Sequence, residues 1–320
     1  MSKLRTGLIG YGKLGKKRAA LIKKHPAYEL VAIADSEAAV IDYTDHKQML
    51  EAEQLDCVFV CVPHTKSTQI VVDCLNEGLH VFTEKPPGIC IGDVYKMKNA
   101  MSSETILRFG FNHRFFSHIV AAKEVIDSKQ LGKILWMRGA YGKKHLENWR
   151  TTEQLGGRGI LISQGIHMVD LMRYLSGDEF PIVHSEVTLP VIGEPKIERN
   201  VMILMKSTNG ITASIHSAAV MLKNTFELII GFEHGYIKVC GLNTSTKSFG
   251  FPEQITVADA RLPHWYGNPV ETIQCFGIDN SWAAELDRFA HTIQSGSLEY
   301  DCSINDAEAV MKILEKVYNG

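Results

Sequence analysis

The sequence predicts an α/β protein in two parts: a doubly wound parallel sheet over residues 1–116, then an α+β domain with a mainly antiparallel sheet over residues 117–320. Three observations carry this reading. Short apolar runs alternate with helix-like segments through the first 110 or so residues, as in a parallel sheet covered on both faces. A glycine-rich turn, Gly10-Tyr11-Gly12-Lys13-Leu14-Gly15, joins the first run to the first helix. Beyond about residue 115 the strands lengthen and succeed one another through turn residues, the pattern of hairpins. At 320 residues the chain has the length for two domains, each able to bury its own core.

LRTGLI (4–9), ELVAIA (29–34), DCVFVCV (56–62), HVFTE (80–84) and TILRFG (105–110) are almost continuously apolar and read as parallel strands. Helices at 13–24, 46–54, 66–77 and 92–102 lie between them and supply right-handed crossovers. The second part opens with a helix at 117–128 and a strand at 133–141, followed by a loop and a helix from about 160 to 175. Strands come next at 183–191, 199–207, 210–219, 224–232 and 234–240, with Gly210 and Glu233-His234-Gly235 at hairpin turns. Two closing segments, 281–295 and 304–318, have helical spacing, and Ser303 or Asn305 caps the latter. The last helix is in a position to pack back on the first domain.

Hydrophobic residues make up 45% and charged residues 22%, which excludes an intrinsically disordered chain. The net charge is −2, so no basic excess points to nucleic acid or an anionic membrane as partner. No apolar stretch approaches the ~18 residues that a spanning helix needs, and nothing near Lys3 and Arg5 resembles a signal peptide. Cysteines 57, 61, 74, 90, 240, 275 and 302 are odd in number, spread out and without a CxxC pair. They read as thiols of a reduced, cytoplasmic protein, with no metal site expected.

In the glycine turn, Gly10 permits the bend, Gly12 lets backbone approach a pyrophosphate and Gly15 lets the helix pack on the strand. The helix N-terminus then offers free N–H groups to phosphate. Asp35 lies twenty residues beyond Gly15 at the end of the second strand, where a carboxylate accepts bonds from the adenosine ribose. A 2′-phosphate would meet like charge there, which favours NAD over NADP. The basic run Lys13, Lys16, Lys17, Arg18, Lys23, Lys24 reads as a solvated helix face, or as the source of one phosphate contact.

Glu84-Lys85-Pro86 follows the fourth strand, and Gly110-Phe111-Asn112-His113-Arg114-Phe115 closes the fifth. Further on come Trp149-Arg150, Gly156-Gly157-Arg158-Gly159, Gly165-Ile166-His167-Met168-Val169-Asp170 and Asn305-Asp306-Ala307-Glu308. With the glycine turn, this series resembles the Gfo/Idh/MocA family of glucose–fructose oxidoreductases and inositol dehydrogenases, over essentially the whole chain. The resemblance implies a Rossmann domain, then an open-faced antiparallel sheet through which the chain forms a homodimer or homotetramer. It implies cofactor contacts from Gly10, Tyr11, Gly12, Lys13, Leu14, Gly15, Asp35, Val62, Pro63, His64, Glu84, Lys85 and Asn112. It implies substrate contacts from Lys85, Arg114, Trp149, Arg150, Ser163 and His167, and a cis peptide before Pro86. Lys85 and His167 are then the catalytic pair.

The chain departs from the family pattern at four places. Ser163 stands where Asp is frequent, Arg158 interrupts a glycine run, Val62-Pro63-His64-Thr65 lacks the usual Pro-Asn, and Ser67 replaces a common His. The resemblance therefore leaves the substrate open.

Oxidising a secondary alcohol moves a hydride to the nicotinamide while a base removes the hydroxyl proton. A neutral imidazole suits that proton transfer near pH 7. Ser163, His167 and Asp170 share one face at helical spacing, so Asp170 either orients the imidazole or belongs to a structural network. Lys85 beside an oxidised nicotinamide has its charged form disfavoured and becomes able to relay a proton. Trp149-Arg150 and His264-Trp265-Tyr266 read either as substrate contacts or as loop and surface packing, and Met202, Met205 and Met221 as core or interface filler. The implied function is NAD-dependent oxidation or reduction at a sugar, cyclitol or nucleotide-sugar carbon. The alternatives are glycoside cleavage by transient oxidation and a non-catalytic cofactor-binding regulator.

Overall fold

The structure, a computed structural model, describes residues 2–37, 41–144, 158–188, 197–243, 248–250, 252–262, 267–277 and 279–319. The described residues fall into two compact units. The first comprises the described residues of 2–111 and 282–311, the second those of 112–144, 158–281 and 312–319.

In the first unit, β1 (Leu4–Ile9), β2 (Tyr28–Ala34), β3 (Cys57–Val60), β4 (His80–Thr83) and β5 (Leu107–Phe109) form one parallel sheet in the order β2-β1-β3-β4-β5. Between them run α1 (Lys13–Lys24), α2 (His46–Ala52), α3 (His64–Asn76) and α4 (Ile91–Ala100). The continuous apolar runs have their expected cause, since all four residues of β3 and all three of β5 are buried. A helix from the far end of the chain, here numbered α7 (Ser281–Ser295), closes this core. Its Phe289 meets Phe59 edge-on at 5.5 Å, and Phe59 stacks on Phe82 at 5.1 Å.

Helix α1 buries Gly15, Arg18, Ala19 and Ile22, one face at 3.6-residue spacing. Arg18 is therefore core rather than part of a solvated face, which corrects the reading of the basic run as a whole. A buried guanidinium must be paired. Arg18 donates from Nε to Glu84 Oε1 (2.8 Å) and from Nη2 to Glu285 Oε2 (2.6 Å), between the rings of Phe82 and Trp282. Burial pushes the Glu285 carboxyl up to about 7 against the pull of Arg18, and neighbouring Glu84 adds to the rise.

The second unit holds a 3-10 turn (Asn112–Phe115), α5 (Ser117–Asp127), β6 (Ile134–Gly142), a π-turn (Leu161–Gly165) and α6 (Ile166–Ser176). Then come β7 (Ile182–Thr188), β8 (Asn200–Lys206), β9 (Thr212–Ala218), β10 (Thr225–Phe232), β11 (Gly235–Cys240), β12 (Glu253–Asp259) and β13 (Glu271–Phe276). The sheet runs β13-β12-β11-β10-β6-β9-β8-β7 and is antiparallel except where β6 pairs with β9. Helices α5 and α6 pack on one face. On the other, β8 exposes Met202 (54%) and Leu204 (52%) while burying Val201, Ile203 and Met205, so an apolar patch is left uncovered by the described residues. The final helix, α8 (Ile304–Asn319), contributes residues to both units.

Two strands went unread in the sequence. β12 buries the polar Glu253 and Thr256 beside Ile255 and Ala258, and β13 is exposed over most of its length, so neither shows a clean apolar alternation. The helix expected from residue 160 is two segments, a π-turn and then α6, and α3 begins earlier than expected, at His64.

Candidate active site

In a β2-β1-β3 order the chain leaves β1 for one side and later returns on the other. That reversal opens a crevice at the carboxyl ends of β1 and β3. The cofactor candidates of the first unit follow the carboxyl ends of β1 to β4. Gly10, at φ 94°, sits where a Cβ would come within 2.5 Å of the Cys61 carbonyl oxygen, and a Cβ on Gly15 would meet the Gly10 oxygen at 1.9 Å. Strand, turn and helix thus close on one another with no room for side chains. At Gly12 a Cβ would meet nothing within 4 Å, so this backbone is bare on its open side. Gly12, Lys13 and Leu14 are exposed, and α1 has neither a side-chain cap nor an acid in its first turn.

Asp35 leaves the end of β2 and turns back to this loop. Its Oδ2 accepts the Tyr11 N–H (2.5 Å), and its Oδ1 accepts the Glu37 N–H (2.8 Å). Val62 and Pro63 are half-buried after β3, and His64 starts α3 with its ring buried. Glu84 and Lys85 follow β4, Glu84 held by Arg18 and Lys85 partly exposed, and the Lys85–Pro86 peptide is cis. A bare glycine backbone, an uncapped helix start and a carboxylate fixed to the same loop fit a dinucleotide.

The second unit gathers Asn112, Arg114, Ser163 and His167 with two residues the sequence reading gave no site role or left open. His113 lies face to face with His167, ring centroids 3.6 Å apart and planes 19° from parallel, and both are buried. Its Nδ1 faces Asn112 Oδ1 at 3.0 Å and its Nε2 the Tyr141 hydroxyl at 3.2 Å. Asp170 is buried and grips Arg114 with both oxygens, from Nε at 2.9 Å and Nη2 at 2.5 Å. The pair with Arg114 gives Asp170 a place in a structural network. The Ser163 hydroxyl donates toward the Ile160 carbonyl at 3.5 Å.

The π-turn carrying Ser163 is tied by Glu198, unread in the sequence because its partners lie far along the chain. Glu198 Oε1 accepts the Leu161 N–H (2.8 Å) and the Tyr318 hydroxyl (3.1 Å), and its carbonyl accepts the Ile160 N–H (3.1 Å). Gly159, at φ 135°, passes so close that a Cβ would overlap the carboxylate. Burial pushes the Glu198 carboxyl up to about 8. Arg158, the departure from the family's glycine run, lies over the Tyr318 ring at 4.6 Å. Trp149, Arg150, Gly156-Gly157 and His264-Trp265-Tyr266 lie outside the described residues.

A phosphate-binding turn at the switch point of a parallel sheet, continued by a separate α+β unit, defines a dinucleotide-binding oxidoreductase. Residues 4–111 match the oxidoreductase family model with an NAD-binding Rossmann fold, and residues 119–238 match the GFO/IDH/MocA C-terminal domain. The chain belongs to the GFO/IDH/MocA oxidoreductase family. It is 24% identical to a myo-inositol 2-dehydrogenase of Thermotoga maritima, covering 92% of this chain and 89% of that one. It is 30% identical to a D-glucoside 3-dehydrogenase of Escherichia coli, over 58% of this chain and 56% of that one. A levoglucosan dehydrogenase solved in complex with NADH has the same fold, with a TM-score of 0.86 at 19% identity over 99% of this chain and 96% of that one. Among the described residues no helix is long and apolar enough to cross a membrane.

Proposed function

We propose that this protein is an NAD-dependent dehydrogenase acting on a hydroxyl of a sugar, cyclitol or nucleotide sugar, with Lys85 and His167 handling the proton. The observation that carries it is the glycine turn clasped by Asp35, supported by the dehydrogenase names of the relatives. Asp35 has both oxygens at the rim where the adenosine ribose would lie, and its charge opposes a 2′-phosphate, which favours NAD over NADP. When bound, the nicotinamide accepts the hydride from the substrate carbon, and the hydroxyl becomes a carbonyl.

The chain's own residues manage the proton. His167 takes it from the hydroxyl at an imidazole nitrogen, Lys85 donates a hydrogen bond to the same oxygen, and Ser163 positions the substrate. Glu84, the residue before Lys85, is fixed by Arg18. Arg114, Trp149 and Arg150 complete the substrate contacts in this reading. The uncovered face of the second sheet, with Met202 and Leu204 at its surface, receives a second copy of the chain in a homodimer or homotetramer.

A screen of polyols, aldoses, glucosides and nucleotide sugars for NAD reduction, read at the absorbance of the reduced nicotinamide, tests the activity. One class of hydroxyl compound should reduce NAD stoichiometrically. With it, His167→Asn should lower turnover at least a hundredfold and leave NAD affinity intact, and Lys85→Ala should lower both kcat and kcat/KM. Hydrolysis of a glycoside without net cofactor turnover, or unchanged turnover in His167→Asn, would overturn the assignment.

A further inference from the structure

We propose that Glu198 is a positioning residue for the substrate: it sets the place of Ser163 by fixing the two residues to which that serine is bonded. The proposal rests on the reading of Ser163 as a substrate contact. A helix leaves the N–H groups of its first turn without carbonyl partners of its own. At the start of the π-turn Glu198 supplies acceptors from outside. Its carbonyl takes the Ile160 N–H at 3.1 Å, and its Oε1 takes the Leu161 N–H at 2.8 Å. Its own N–H donates to the Arg158 carbonyl at 3.3 Å. One residue is thus bonded to 158, 160 and 161, with Gly159, at φ 135°, paired to it in a short parallel bridge.

Ser163 takes its place from the same stretch. Its N–H donates to the Gly159 carbonyl at 3.2 Å, and its hydroxyl donates toward the Ile160 carbonyl at 3.5 Å. Both bonds end on residues that Glu198 pins, so a displacement there is carried to the hydroxyl. Glu198 and Ser163 are each 3% exposed, so bulk water does not compete for these bonds. The turn runs directly into α6, which carries His167. Single π-turns are rare and recur at functional sites. Glu198 is in turn held from the end of the chain. Tyr318 of α8 donates its hydroxyl to Oε1 at 3.1 Å, and Arg158 lies over the Tyr318 ring at 4.6 Å while pairing with Glu315 at 3.6 Å. Misplacing a substrate contact by about 1 Å can cost ~10²-fold in rate, so the rigidity of this clamp has a kinetic consequence.

The test is a kinetic cycle on the full-length chain with whichever polyol or sugar reduces NAD. Glu198→Ala should raise KM for that compound about tenfold and change kcat by less than about threefold, with NADH affinity intact. Glu198→Gln, which keeps an acceptor for Leu161 and Tyr318, should recover most of the loss. Tyr318→Phe, which removes only the hydroxyl bond, should raise KM by a smaller factor, and it stands in if Glu198→Ala does not fold. Ser163→Ala should raise KM as well, and adding Glu198→Ala to it should cost little more, a coupling that a merely structural role for Glu198 would not produce. Additive losses in the double variant, or losses spread equally over kcat and NADH affinity, overturn the proposal. Amide hydrogen exchange over residues 160–165, in the chain without substrate, should quicken in Glu198→Ala and not in Glu198→Gln. Equal exchange in the wild type and both variants overturns the proposal too. Quickened exchange in a protein with which no hydroxyl compound reduces NAD would uphold the hold of Glu198 on the turn and overturn the dehydrogenase reading, so the two failures are distinguishable.

Discussion

Asp35 shows how one side chain reports on the cofactor. Both of its oxygens already accept backbone N–H groups, so the carboxylate is oriented before any ligand arrives. Hydrogen bonds to a charged group are worth ~1.5–3 kcal/mol each. Asp35→Ala should therefore weaken NADH binding roughly tenfold or more and shrink the preference over NADPH, read by fluorescence titration with each. Asp35→Asn keeps an acceptor for the Tyr11 N–H but drops the charge, so it should spare NADH affinity more than it spares the preference. An undiminished preference in both variants would remove Asp35 from cofactor selection. The glycine turn and Asp35 were legible in the sequence because their chemistry is local and depends on fixed spacing. The role of Arg18 was not, since a basic residue amid lysines reads as solvated until Glu84 and Glu285 arrive from distant elements.

At the scale of elements, the π-turn ahead of α6 depends on one buried acid. Glu198 is an ordinary carboxyl in the unfolded chain, near 4.5, and sits at about 8 in the folded one because burial disfavours its charge. Between those limits the folded state binds a proton that the unfolded state lacks, so its contribution is whole below about 4.5 and is lost as the pH rises through about 8. Glu285 works in the same direction up to about 7. Inside the window each pH unit costs ~1.4 kcal/mol per such group, so the thermal midpoint should fall by several degrees from pH 6 to pH 8. Glu198→Gln, which mimics the protonated acid, should flatten that fall, and an identical pH dependence in the variant would show that Glu198 is not its source. The helix over 160–175 was readable from its apolar periodicity. The π-turn at its start was not, because the bonds that hold Ile160 and Leu161 come from Glu198, far along the chain.

For the whole molecule, the legible parts were those built from neighbours in the chain: the parallel strands, their crossovers and the hairpins β7–β8, β8–β9 and β10–β11, while the expected succession from β9 to β10 is broken by β6. The placement of β6 between β9 and β10 follows from pairing across a long interval, which no local pattern encodes, whereas β12 and the edge strand β13 pair with their sequence neighbours and went unread for want of an apolar alternation. The uncovered sheet face leads to a prediction at this scale. Light scattering should find an oligomer in the wild type and a smaller species in Met202→Glu/Leu204→Lys, with secondary structure retained; an unchanged mass would move the interface elsewhere.

The tie between Glu198 and Tyr318 spans 120 residues, and it has a consequence for biosynthesis. While the polypeptide is still emerging from the ribosome, the bond from Tyr318 that completes the Glu198 anchor of the Ser163 loop has yet to form. That anchor is therefore completed only after the strands of the first sheet have already been made.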